Sequence, residues 1–133
     1  MEKDNPPETL GVFKPVGHTV ITYRSAQDRE LAAAALAAQG VAGTDLTRYS
    51  GPEMVALADD QERAASPLAS FGYEIDLVKA NRVHAQQGCS FLVVKDGDDA
   101  QMQRVAAVAQ DSRAVSAQRY GTFMIEELLG DQR

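Results

Sequence analysis

The chain has 133 residues, 44% hydrophobic and 24% charged, enough for one domain with a modest core. Its net charge of −6 speaks against a basic phosphate-binding face and against an anionic membrane surface. A single cysteine, Cys89, excludes an internal disulfide and suits a reducing compartment.

The N-terminal Met-Glu-Lys-Asp-Asn-Pro-Pro-Glu lacks the basic and apolar regions of a signal peptide. The longest apolar run, Leu31–Ala38, is far shorter than a membrane span. A cytoplasmic protein is expected, with no nucleic acid and no membrane among its partners.

Residues 1–16 carry Pro6, Pro7, Gly11 and Pro15 without a steady period, and read as a flexible or surface-draped arm. Leu10, Val12 and Phe13 can pin its end to the body. His18–Arg24 is the first strand, rich in β-branched residues and Tyr. Ser25 then serves as a helix N-cap, with Asp28 at the capping-box position. The helix runs from Ala26 to Gln39, and Gly40 supplies the left-handed residue that ends it. Thr44–Tyr49 alternates as a second strand.

Ser50-Gly51-Pro52-Glu53 starts a helix, with a cap, a proline in the first turn and a capping-box Glu. Its apolar side is Met54, Val55, Leu57 and Ala58. Ser66-Pro67 restarts the pattern, and Leu68, Phe71, Ile75, Val78, Arg82 and Ala85 recur at threes and fours. This second helix reaches Gln87, with Gly72 a weak point and Gly88 its stop. Cys89–Lys95 is a near-continuous apolar strand. Asp98 caps the next helix, with Gln101 at the capping-box position and Met102, Val105, Val108 and Ala109 as its core stripe. Ala114–Tyr120 is the fourth strand.

The chain thus contains one pattern twice. Val20–Gly51 overlays Phe91–Thr122 without a gap, and the copies agree at Asp28/Asp99, Ala35/Ala106, Ala38/Ala109, Gln39/Gln110, Arg48/Arg119 and Tyr49/Tyr120. The expected fold is α+β: a ferredoxin-like βαβ-(αα)-βαβ antiparallel sheet of order 4-1-3-2 in one domain, residues 17–129, with a helical-pair insertion at about 51–88. Strands one and three are then central and the most apolar, whereas strands two and four are edges carrying Asp45, Arg48, Gln118 and Arg119. One face of the central strands carries Ile21, Tyr23, Leu92 and Val94. The other carries Val20, Thr22, Phe91 and Val93. Two helices cover one face only, so the insert, the tail Thr122–Leu129 or a second subunit must cover the other. A homodimer or a protein partner is expected on this ground.

No set of residues converges on acid–base or nucleophilic chemistry. His84, with Lys79 and Arg82, lies near a helix C-terminus, where such residues serve an anion or proton-transfer site or simply complement the helix dipole, the commoner use. His18 and Cys89 are too scattered for a metal motif, and Cys89 has no neighbouring base in the sequence. Lys95–Asp99 opens like a calcium loop but lacks its remaining ligands. No catalytic residue, metal or cofactor is assigned. The repeated Arg48-Tyr49 and Arg119-Tyr120 are the most specific feature, since Arg and Tyr favour interfaces. The candidate ligand- or partner-binding residues are Arg48, Tyr49, Arg82, His84, Arg119 and Tyr120.

From Pro15-Val-Gly-His18 through Arg119-Tyr-Gly-Thr-Phe-Met-Ile-Glu-Glu-Leu128, the chain resembles a family of small proteobacterial proteins of uncharacterised function. Ser66-Pro-Leu-Ala69, Leu77-Val-Lys79, Gly88–Val94 and the closing Arg-Tyr-Gly and Ile-Glu-Glu-Leu carry the likeness. The overall plan is more loosely similar to the bacterial general-stress-protein domain. The resemblance implies a ferredoxin-like fold and a stress-linked role, and brings no catalytic residues. The reading is a non-enzymatic cytoplasmic binding or regulatory domain. The alternative is a small enzyme with a pocket between sheet and helices of a dimeric α+β assembly, which Tyr23, His18, His84 or Arg82 could line.

Overall fold

A computed structural model describes residues 8–9, 12–13, 16–64, 73–121 and 124–129. Two short strands, β1 (Glu8–Thr9) and β2 (Val12–Phe13), pair antiparallel within the N-terminal arm. The body follows as β3 (His18–Tyr23), α1 (Ala26–Ala38), a 3-10 turn (Gly43–Asp45), β4 (Leu46–Tyr49), α2 (Gly51–Ala64), α3 (Tyr73–Gln86), β5 (Ser90–Lys95), α4 (Asp99–Asp111), β6 (Ala114–Tyr120) and β7 (Ile125–Glu127). Leu10, Ser66–Phe71 and Gly72 lie outside the described residues, and with them the expected helix restart.

The local signals explain the helix starts. The Ser25 hydroxyl accepts from the Asp28 N–H at 3.1 Å, capping α1. Ser50 and Glu53 form a reciprocal box: the Glu53 N–H donates to the Ser50 hydroxyl at 3.2 Å, and the Ser50 N–H donates to Glu53 Oε1 at 3.0 Å. Asp98 accepts from the Gln101 N–H at 2.8 Å. The Gln101 side chain does not complete a box. Its amide donates instead to the Lys95 carbonyl and to Asp45, tying α4 to the turn before β4. Gly40 and Gly88 take φ values of +92° and +91°, where a side chain would be strained.

The main sheet is antiparallel and five-stranded, in the order β4-β5-β3-β6-β7. One expectation needs correcting. The fourth strand, β6, is not an edge, because the tail residues Ile125–Glu127 pair along it as β7. Arg119-Tyr120 therefore lies one strand inside. A strand whose apolar residues face a core and whose other edge is paired does not need charge to protect it.

Of the three coverings expected for the second sheet face, the insert is the one found there. Ile21, Tyr23, Leu92, Val94 and Ala117 pack with Ala32, Ala33 and Leu36 of α1 and Val105, Val108 and Ala109 of α4. On the opposite face Val20, Phe91, Val93, Tyr49 and Tyr120 pack with Met54 of α2 and Ala85 of α3. The chain's own insert thus lies over the second face, and β2 runs alongside α2 and α3. That removes the argument from a bare face on which the expected dimer stood. Among the described residues no helix is long and apolar enough to cross a membrane.

Candidate functional site: the cleft between the two repeat helices

The helices α1 and α4 occupy matching places in the two copies of the repeat and lie side by side on one sheet face. Alanine dominates where they face each other. Such short side chains bring helices close only where the backbones touch; elsewhere they leave space. Here Ala32, Ala35, Ala107 and Val108 wall a cleft of about 410 Å³. This is within the ~300–1,000 Å³ typical of ligand pockets.

Leu31 stands at the lip, 64% exposed, the most exposed large aliphatic side chain on the helix. The polar groups at the margins are Asp28, Gln39, Asp111, Ser112 and Arg113. Ser112 is fixed from below. Its hydroxyl lies 3.1 Å from the buried Tyr23 hydroxyl and 3.1 Å from the Ala109 carbonyl, to which it donates. Burial pushes the Tyr23 phenol above its ordinary pKa, and the nearby Asp28 carboxylate adds to this against the Ser112 bond. Tyr23 therefore stays a neutral hydrogen-bonding group.

The residues singled out in the sequence do not gather there. Strand alternation splits each Arg-Tyr pair across the sheet. The two tyrosines enter the core on the insert side, 3% and 1% exposed for Tyr49 and Tyr120. Burial, with Glu53 nearby, pushes the Tyr49 phenol up to about 12. The two arginines turn to the α1/α4 side and fasten each strand to the helix of its own repeat. Arg48 binds Glu30 of α1 at 2.9 Å, and Arg119 donates to the Met102 carbonyl of α4 at 3.0 Å. Register puts Tyr49 beside Phe91 and Tyr120 beside His18, at opposite ends of the sheet.

Arg119 also meets Glu126 of β7 at 3.0 Å and Asp96 at 3.7 Å, and Thr19 donates to Asp96 at 3.2 Å. Burial outweighs these partners and raises the Asp96 carboxyl pKa. His18 opens β3, where its Nδ1–H donates to the Val16 carbonyl at 3.1 Å. It lies at the far end of the sheet from Cys89, so the two do not meet. Among the described residues no group of three or more His, Cys, Asp or Glu could hold a metal ion. Arg82 is half-buried on α3.

His84 does find company. With Arg24, Gln87, Cys89 and Val115 it lines a separate cavity of about 380 Å³ at the other end of β3. Cys89 is 6% exposed, and burial pushes its thiol pKa up despite the pull of Arg24.

Of the cleft residues, Asp28, Ala35 and Gln39 were visible as repeat identities and Val108 as part of a core stripe, but none of these signals pointed to a cleft. Alanine on a helix reads as propensity, and what separates a wall from a filler is the facing helix. The repeat itself was the available clue, since it places two alanine-rich helices as neighbours. No family model, no curated protein and no solved structure matches the chain.

Proposed function

We propose that this chain is a non-enzymatic cytoplasmic binding domain that holds a small, largely apolar ligand with a hydrogen-bonding end between α1 and α4. The carrying observation is the 410 Å³ cleft with an alanine wall and a single fixed hydroxyl, Ser112, among its marginal polar groups. Alanine gives contact area without functional groups, so the cleft offers shape and desolvation rather than chemistry. A regulatory, stress-linked role fits such a module and rests on the family likeness alone.

The ferredoxin-like plan belongs to the same proposal. What supports it is the strand order: taken from β6 towards β4, the four repeat strands run fourth, first, third, second, with β7 added outside. In this plan the cleft lies on the pseudo-twofold between the repeats.

The enzymatic alternative draws on the cavity where His84 and Arg24 flank Cys89. A raised thiol pKa works against it, because the thiolate is the nucleophile.

The test is titration of the neutral fluorophore N-phenyl-1-naphthylamine. Saturable binding at one site is expected, and it should be lost in Ala107→Leu, which adds bulk at an exposed wall position. Binding that does not saturate, or that survives Ala107→Leu and Ala35→Leu unchanged, would remove the reading.

A further inference from the structure

The cavity at the Arg24 end of the sheet differs in charge from the α1/α4 cleft and from a hollow beside α4. The α1/α4 cleft mixes Asp28 and Asp111 with Arg113, and the hollow beside α4 mixes Asp99 with Arg119. Among the described residues, the lining of the third, Arg24, His84, Gln87, Cys89 and Val115, contains no carboxylate. In a chain of net charge −6, a cavity lined by a guanidinium, an imidazole and an amide is an electropositive exception.

We propose that this cavity binds a small organic anion, a carboxylate or phosphomonoester with an apolar body, its charge on Arg24 and His84 and its body against Val115 and Cys89.

The placement follows from register. Tyr23 pairs with both Ser90 and Ala114, so the next residue, Arg24, leaves the sheet between the start of β5 and the start of β6. The end of α3 closes the third side. The Cys89 N–H donates to the His84 carbonyl at 3.1 Å, which fixes the histidine's backbone to the strand entrance. Among the described residues, neither the Arg24 nor the His84 side chain has a hydrogen-bond or ion-pair partner, in contrast to Arg29, Arg48 and Arg119.

Two features that could repel an anion are weakened. A helix C-terminus presents bare carbonyls. Here the Val83, His84 and Ala85 carbonyls accept from the N–H groups of Gln87, Gly88 and Cys89. Burial keeps Cys89 protonated, so the wall beside the anion is a neutral thiol. Val115 and that thiol give the apolar surface that distinguishes an organic anion from inorganic phosphate. At about 380 Å³ the space exceeds what an inorganic ion needs.

The experiment is calorimetric titration of the full chain with benzoate, phenyl phosphate and inorganic phosphate. Saturable binding of benzoate or phenyl phosphate, tighter than inorganic phosphate, is expected. Whichever of the two binds more tightly names the class. Arg24→Gln and His84→Gln should each weaken it ~10-fold or more, the loss of one charge-assisted hydrogen bond. Arg113→Gln and Ala107→Leu, both at the other cleft, should leave it unchanged, which separates this site from the α1/α4 reading. Alkylation of Cys89, the only cysteine, should slow when the ligand is saturating. No saturable binding by any probe, equal affinity in Arg24→Gln, or inorganic phosphate as tight as phenyl phosphate would each overturn the proposal.

Discussion

A β-carbon placed on Gly51 would sit 2.8 Å from the carbonyl oxygen of Ala85 and 3.2 Å from that of Cys89. The first turn of α2 thus presses backbone to backbone against the end of α3, next to the strand entrance that both helices cover. Gly51 is buried, and its hydrogen atom is what permits the approach.

Gly51→Ala is therefore expected to destabilise the fold by ~1–3 kcal/mol, because the obstacle is backbone that cannot rotate away. Gly43→Ala is the control: nothing lies within 4 Å of its added carbon. Thermal melts should show a drop for the first and little change for the second. Equal melting temperatures for Gly51→Ala and the native chain would contradict the close approach.

The N-terminal signal at Ser50–Glu53 was legible because capping chemistry is local: four residues specify both hydrogen bonds. The closeness of Gly51 to Ala85 was not, because it depends on where a distant helix ends. The same division holds elsewhere. Period-two alternation sorted Ile21, Tyr23, Leu92 and Val94 from Val20, Phe91 and Val93, and the two cores follow that sorting. It could not show that Ile125–Glu127 would add a strand, since three residues are too few to carry a period. The Arg-Tyr repeat was visible, but its use was not. Arg48 and Arg119 fasten strands to helices through partners, Glu30 and the Met102 carbonyl, that only the fold brings near.

Asp96 should register in the acid pH dependence of stability. Its folded pKa is raised above the ordinary 3.8, so the native state holds this proton more tightly than the unfolded chain. The group's contribution then falls as pH rises from 3.8 through its folded value. Asp96→Asn should remove that fall, so that its stability rises more steeply with pH across the window than the native chain's. A native curve that rises through the window just as steeply with and without the carboxylate would contradict the burial argument.

Tyr49 contributes to the alkaline limit of stability. Its phenol is raised from 10.0 to about 12, so the folded chain resists ionisation that the unfolded chain undergoes. Stability should decline as pH rises from 10.0 towards 12. Phenolate absorbance should show Tyr49 titrating late or together with unfolding, beside the likewise raised Tyr23, and Tyr49→Phe should shrink that late step by one phenol. Ionisation of all tyrosines near the ordinary value in the folded protein would contradict it.

Glu30 joins Arg29 and Arg48 at 2.9 Å on the surface, and the arginines hold its carboxyl below the usual range. The carboxylate is 47% exposed, so solvent screens the pair. Glu30→Gln should change stability by ~0–1 kcal/mol, and less at high salt. A larger loss in denaturant titrations would mean that this surface link carries more of the β4 edge than its exposure allows.

The most direct test of the α1/α4 cleft as the binding site is its location by backbone amide shifts. On addition of N-phenyl-1-naphthylamine, saturable shifts are expected at Leu31, Ala35, Ala107 and Ser112, with little change at Arg24, Cys89 and Tyr49. Shifts centred instead on the α2 and α3 side of the sheet, or spread evenly over exposed residues of both faces, would contradict it.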